Sequence, residues 1–192
     1  MKNKKVHKNP WTILSKKKIY ENPWIELTEF EVLNPKNKPG IYGKIHFKNI
    51  AVGVIAMDKD KNIYLVGQYR FPLNEYSWEI PEGGADPKIP LIESAKRELK
   101  EETGILAKKW LEIQRTHTSN SATDELGVIY LATDLSIGKS EPEDTEELKI
   151  KKVTFEDALK MVLDGSITDS LSVASILKLN YLIKEGKLKV DQ

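Results

Sequence analysis

Hydrophobic and polar positions along the chain fall into two periods. Over 41–48, IYGKIHFK alternates, with Ile41, Ile45 and Phe47 on one face and Tyr42, Lys44 and His46 on the other. That is the pattern of a half-buried strand. WIELTEFEVL (24–33) predicts a second strand, and Asn-Pro and Pro-Gly steps break up the apolar stretches between Trp11 and Lys48. Two more apolar runs, 50–57 and 62–71, are joined by Asp58-Lys59-Asp60-Lys61, which predicts a hairpin. YSWEI (76–80) predicts a short strand ending at Pro81, after which Gly83-Gly84 opens a loop. Pro90 suits the first position of a helix. The helix should run to about Thr103 and stop at Gly104 in the left-handed conformation. Further strands are expected at 110–117, 126–133 and 148–154. Thr154 is placed to cap a short helix stopped by Gly165, and TDSLSVASILKLNYLIKEG predicts a longer final helix. Strands around two or three helices predict a layered α/β (α+β) domain over 49–192. A basic tail and a small antiparallel β extension fill 1–48.

Composition narrows the class. At 192 residues the chain can bury a real core in one domain with a small appendage. Net charge is +1, so no basic excess points to nucleic acid as a partner. Cysteine is absent, which removes disulfides, thiolate nucleophiles and zinc–thiolate centres together. The start, MKNKKVHKNP, is basic but leads into no apolar segment, and no run approaches transmembrane length. A cytoplasmic protein without a membrane partner is the expectation.

The candidate chemistry lies in RELKEETG (97–104). With residues about 100° apart on a helix, Leu91, Ile92, Ala95 and Leu99 form one apolar stripe, while Lys96 and Lys100 point to the far side. Glu98 and Glu102 project together from the edge of that stripe, and Glu101 lies just beyond. Arg97 is spaced to pair with Glu101. Like charges on one rim repel by a few tenths of a kcal/mol per pair, a cost that a divalent cation reverses. A solvated helix face of common residues is the alternative, and the helix alone does not choose between them.

The surrounding stretch does. WEIPEGGADPKIPLIESAKRELKEETGI (78–105) resembles the Nudix box, G-x5-E-x7-R-E-U-x-E-E-x-G-U with U aliphatic. Gly83, Arg97, Glu98, Leu99, Glu101, Glu102, Gly104 and Ile105 fall on its fixed positions. One position departs: Ile89 stands where the box has a glutamate that supports the loop–helix structure in the family. VGQYRFPL followed by SWEIPEGG, together with the β extension, is similar to the subgroup that cleaves ADP-ribose and other nucleoside diphosphate sugars. HTSNSATDELG (117–127) is similar to a loop of that subgroup, with Asn120 in place of its usual proline, which widens the expected substrates beyond ADP-ribose. The resemblance covers roughly residues 11–185 and implies a mixed sheet sandwiched between helices.

What the resemblance implies chemically is hydrolysis of a phosphoanhydride by water, dependent on Mg²⁺ with Mn²⁺ as a substitute. Glu98 and Glu102 are the first-choice metal ligands and Glu101 the third, with a backbone carbonyl at Glu82 or Gly83 in the Gly83-Gly84 loop completing the shell. Glu125 is the expected general base, against the alternative of a solvated loop residue. Asp124 is its neighbour, and Glu141, Glu143, Asp144, Glu146 and Glu147 are a reserve. Arg70 either clamps a phosphate or sugar oxygen or makes a structural salt bridge. Trp24 and Tyr42 either stack on a base or, as favoured, are core or interface aromatics, and Trp78 is expected in the core. His7, His46 and His117 are too scattered for a metal site. A small-molecule nucleotide and a second copy, bound through the β extension, are the expected partners. The rivals are a nucleotide-sensing module, an isomerase-type relative, and hydrolases of dinucleoside polyphosphates, coenzyme A or capped RNA.

Overall fold

TILSKKKIYE, a lysine-rich run with no alternation to announce it, forms the first strand of the computed structural model, which describes residues 7–138 and 148–188. Two compact units are present, Met1–Lys48 with Ser119–Asp124, and Asn49–Thr118 with Glu125–Gln192. In the first, β1 (Thr12–Glu21), β2 (Ile25–Leu33) and β3 (Pro39–Phe47) make an antiparallel meander in the order β1-β2-β3. Every residue of β1 is exposed. With no buried face to demand a period of two, the strand left no signal, and its ladder to β2 rests on backbone pairing. Asn34 closes the turn into β3 by accepting the Lys36 and Lys38 N–H groups, with Asn37 at positive φ.

Ser119–Asp124 joins this unit through the backbone of Ile45, which donates to Ala122 and accepts from Asp124. The Asp124 carboxylate then takes Lys44 Nζ at 2.9 Å, His46 Nδ1 at 2.8 Å and the Phe47 N–H at 3.0 Å. Burial pushes its pKa up, but Lys44, His46 and the Phe47 N–H outweigh that and hold it below the usual aspartate range.

The second unit is built on β4 (Ile50–Ala56), β5 (Asn62–Arg70), β6 (Glu75–Glu79), β7 (Glu82–Ala85), α1 (Leu91–Thr103), β8 (Ile105–His117), β9 (Leu126–Ile137), β10 (Lys149–Thr154), α2 (Phe155–Leu163) and α3 (Ser170–Lys184). A mixed four-stranded sheet runs β7-β4-β9-β8 with β4 and β9 parallel, and an antiparallel sheet runs β10-β5-β6. Both faces of the central strands are buried. Val52, Val54 and Ala56 with Val128, Tyr130 and Ala132 pack on Ala95 and Leu99 of α1. Ile55, Met57, Ile129 and Leu131 pack with Phe155 and Ala158 of α2 and Leu171, Ile176 and Leu179 of α3. The sheet is thus sandwiched between helices. Among the described residues no helix is long and apolar enough to cross a membrane.

Three local expectations change. The 50–57 and 62–71 runs do turn at Asp58, which accepts the Asp60 and Asn62 N–H groups. Their pairing stops at one bridge, Met57 to Ile63, and the strands enter different sheets. Both edges of β4 are already taken by β7 and β9, so β5 has nowhere to pair. Gly83-Gly84 is not a loop but the middle of β7, in register with Val52 and Ala51. Pro90 is the N-cap residue, one position before the helix begins, and offers no side-chain cap bond.

The other helix signals appear as predicted. Gly104 has φ 72° and its N–H returns to Lys100 O at 2.8 Å. Thr154 caps α2 by accepting from Asp157 N–H. A Gly104→Ala variant forces a β-carbon into the left-handed region. A stability loss of about 1 kcal/mol and a Tm fall of about 2–4 °C are expected by calorimetry; an unchanged Tm contradicts the termination mechanism.

Candidate active site

The last two turns of α1 carry three glutamates at graded depth. Glu102 is 2% exposed, the Glu98 side chain 12% and Glu101 30%. The wheel placed Glu98 and Glu102 at the rim of the core, and the structure takes Glu102 inside it. Removing a carboxylate from water is costly unless it is hydrogen-bonded. Here the Glu82 N–H at the head of β7 donates to Glu102 Oε2 at 3.0 Å. The helix and the strand are joined at that bond.

Glu98 is accommodated by an absence. A β-carbon at Gly83 would lie inside contact distance of all three carboxyl atoms of Glu98. A side chain at Gly83 would push the Glu98 carboxylate aside, so the glycine lets the β7 backbone and that carboxylate occupy adjacent space. Arg97 binds the group together from outside. Nη1 donates to Glu101 Oε2 at 2.6 Å, while Nη2 reaches Glu98 Oε1 at 2.5 Å and the Gly84 carbonyl at 3.1 Å. Burial lowers the Arg97 pKa, but Glu98 and Glu101 outweigh it and leave it raised. Ile89, at the box glutamate position, is exposed, and the loop before the helix is closed by Asp86, which accepts from the Lys88 and Ile89 N–H groups.

A second group lies on β5, β6 and the start of α3. Arg70 makes a forked pair with Glu79, Nε at 2.9 and 3.1 Å from the two carboxylate oxygens and Nη2 on Oε2, and it reaches Glu82 Oε1 at 3.4 Å. Hydrogen bonding to Glu79 raises the Arg70 pKa despite burial. These side chains line a pocket of about 270 Å³ with Pro72, Leu73, Ser77, Thr168 and Asp169. Burial pushes the Glu82 pKa well up, Asp169 and Glu79 add to that, and Arg70 offsets only part. Glu82 Oε2 is buried with no hydrogen-bond partner.

Glu125 Oε2 accepts from Thr118 Oγ1, and the Glu125 carbonyl lies 3.0 Å from His117 Nδ1, which is therefore the protonated ring nitrogen. Trp24 and Tyr42 belong to the N-terminal unit. Trp24 is 66% exposed, whereas Tyr42 donates to the Ser121 carbonyl and meets Trp11 edge-on at 5.4 Å. Trp78 is half-buried against the core on the α2/α3 side. The acid cluster from Glu141 to Glu147 lies outside the described residues. Glu79 and Asp169 were missed by sequence reasoning. Glu79 had a readable signal, since Ser77 and Glu79 are polar at the inward positions of a strand; Asp169 had none beyond its place before a helix.

The NUDIX domain model matches residues 47–169. The chain belongs to the NUDIX family. ADP-ribose pyrophosphatase of Bacillus subtilis is 37% identical over 132 residues, which is 66% of this chain and 69% of that protein. ADP-ribose pyrophosphatase of Mycobacterium tuberculosis is 34% identical over 134 residues, 66% of this chain and 63% of that one. Methanol dehydrogenase activator of Bacillus methanolicus is 33% identical over 145 residues, 72% and 75% of the two chains. A crystal structure of an ADP compounds hydrolase superposes with a TM-score of 0.82 at 20% identity, over 97% of this chain and 100% of that one, and shares the fold.

The NUDIX helix gives a direct test of the glycine. Gly83→Ala should displace the Glu98 carboxylate and destabilise by about 0.5–1.5 kcal/mol through the forced rotamer. Combining it with Glu98→Ala should recover most of that loss in a denaturant double-mutant cycle. Additive losses would mean that Gly83 and Glu98 do not compete for the same space.

Proposed function

We propose that this chain hydrolyses the diphosphate linkage of nucleoside diphosphate sugars, ADP-ribose among them, to a nucleoside monophosphate and a sugar phosphate. The observation that carries the reading is the packing of Glu98 and Glu102 on the backbone of Gly83 and Glu82. The names of the two pyrophosphatase relatives support the substrate class.

The donors fit a divalent oxygen-seeking cation, Mg²⁺ with Mn²⁺ as substitute. Glu98, Glu102 and Glu101 supply carboxylate oxygens, and the β7 backbone at Glu82 or Gly83 supplies a carbonyl beside Glu98, where a β-carbon would otherwise stand. Among the described residues no three acidic or imidazole side chains already form a cage. Substrate phosphate oxygens and water would complete the shell of an ion held there. When bound, such an ion offsets the diphosphate charge and makes water a better nucleophile at neutral pH.

Arg97 limits the repulsion among Glu98 and Glu101 and fixes their rotamers, so that the acids are held in place before substrate arrives. Glu125 is the proposed general base, with Thr118 orienting its carboxylate and His117 holding its backbone. A homodimer through the N-terminal sheet is part of the same reading. It is supported by Ile13, Leu14, Ile19, Tyr20 and Ile41, large apolar side chains exposed on β1 and β3.

The test is a Mg²⁺-dependent hydrolysis panel over ADP-ribose, other nucleotide sugars, dinucleoside polyphosphates and nucleoside triphosphates, with the nucleoside monophosphate and sugar phosphate products separated and quantified by chromatography. Turnover of ADP-ribose or another nucleotide sugar, lost on chelation, is expected. Wild-type protein that cleaves no diphosphate would sink the reading. Glu102→Gln should abolish turnover while leaving the protein folded; surviving activity would remove Glu102 from the proposed site.

A further inference from the structure

Between Glu79, the last residue of β6, and Glu82, the first of β7, the chain leaves one sheet and enters the other. Only Ile80 and Pro81 span the crossing, and both are buried. The ladder from β6 to β5 ends at Glu79 and Val66, so the Ile80 N–H must find its partner elsewhere. That partner is Ser172 Oγ at 2.9 Å, in the first turn of α3 and fully out of water. Pro81 has no N–H to give, and its carbonyl accepts from the Val54 N–H of β4 at 2.8 Å. The Glu82 N–H then donates to Glu102 of α1 at 3.0 Å. Three successive residues are thus held by three different elements, and α3 holds the first.

Ser172 is itself firmly placed. Its N–H donates to the helix cap Asp169 at 2.7 Å, and Ser175 Oγ donates to its carbonyl at 3.1 Å. Its neighbour Leu171 shares an apolar cluster with Ile80. Both side chains lie over Gly53, the β4 residue paired with Glu82. At this depth the Ser172 hydroxyl meets no substrate, so its effect on the site runs through the backbone it holds. We propose that Ser172 is a positioning residue for the carboxylate site: by fixing Ile80, it sets where the Glu82 N–H meets Glu102. The proposal rests on the reading that Glu98 and Glu102 hold the cation. It makes α3, which carries none of those acids, part of what keeps them in place.

The test measures amide hydrogen exchange of the metal-free protein, and Mn²⁺ affinity by isothermal titration, in wild type, Ser172→Ala and Ser175→Ala. Ser175 is the control, because it is equally buried on the same helix and its hydroxyl bonds within α3. Ser172→Ala should speed exchange at the Glu82 amide at least about tenfold over Ser175→Ala, while the β9 amides of the two variants exchange alike. It should weaken Mn²⁺ binding about three- to tenfold, with Ser175→Ala within about twofold of wild type. Ser172→Cys is close in shape but offers a weaker acceptor, and it carries the test if Ser172→Ala fails to fold. Glu82 exchange or Mn²⁺ affinity that the Ser172 variant leaves unchanged, or shifts no further than Ser175→Ala does, overturns the role of Ser172 while the carboxylate site stands. A wild type that takes up no Mn²⁺ overturns the site, and the role of Ser172 falls with it.

Discussion

The bond between the Glu82 N–H and the Glu102 carboxylate is the constraint on which the rest of the site depends. It is made at the point where α1 meets β7, with Glu102 almost out of water. A carboxylate so placed is tolerable only with donors in fixed positions, so the helix cannot slide along the strand without exposing the cost. Everything else follows from that register. Gly83 comes to rest against Glu98, the Gly84 carbonyl comes within reach of Arg97, and the Glu82 side chain is turned to the pocket of Arg70 and Glu79.

The register is in turn set by the core. β4 is buried on both faces, and its partners on either side are the short β7 and the parallel β9. Alternate residues of β4 and β9 feed two separate apolar clusters, one under α1 and the other under α2 and α3. The helix that bears the glutamates is therefore anchored through Ala95 and Leu99 to a strand that is itself held from both sides. Stiffness at the acids comes from packing well away from them.

How much of this was legible depended on range. The stripe of Leu91, Ile92, Ala95 and Leu99, the stop at Gly104 and the cap at Thr154 are local, and they were read from spacing alone. The glutamates and Arg97 were also local, made specific by their spacing to Gly83. What failed was pairing. The turn at Asp58 was visible, but that β4 had both edges occupied was not, since those partners lie far along the chain. β1 escaped because a fully exposed strand has no period to show. The Asp124 lock to Lys44, His46 and Phe47, and the approach of Asp169 to Glu82, are long-range polar contacts that no window of sequence contains.

The central claim is that Glu98 and Glu102 are pre-set for a cation by their packing on the β7 backbone. Isothermal titration of Mn²⁺ into the wild type and into Glu98→Gln and Glu102→Gln proteins, each shown to be folded, tests it most directly. The account predicts saturable binding that each substitution weakens at least about tenfold. Binding of equal strength in all three proteins would contradict it.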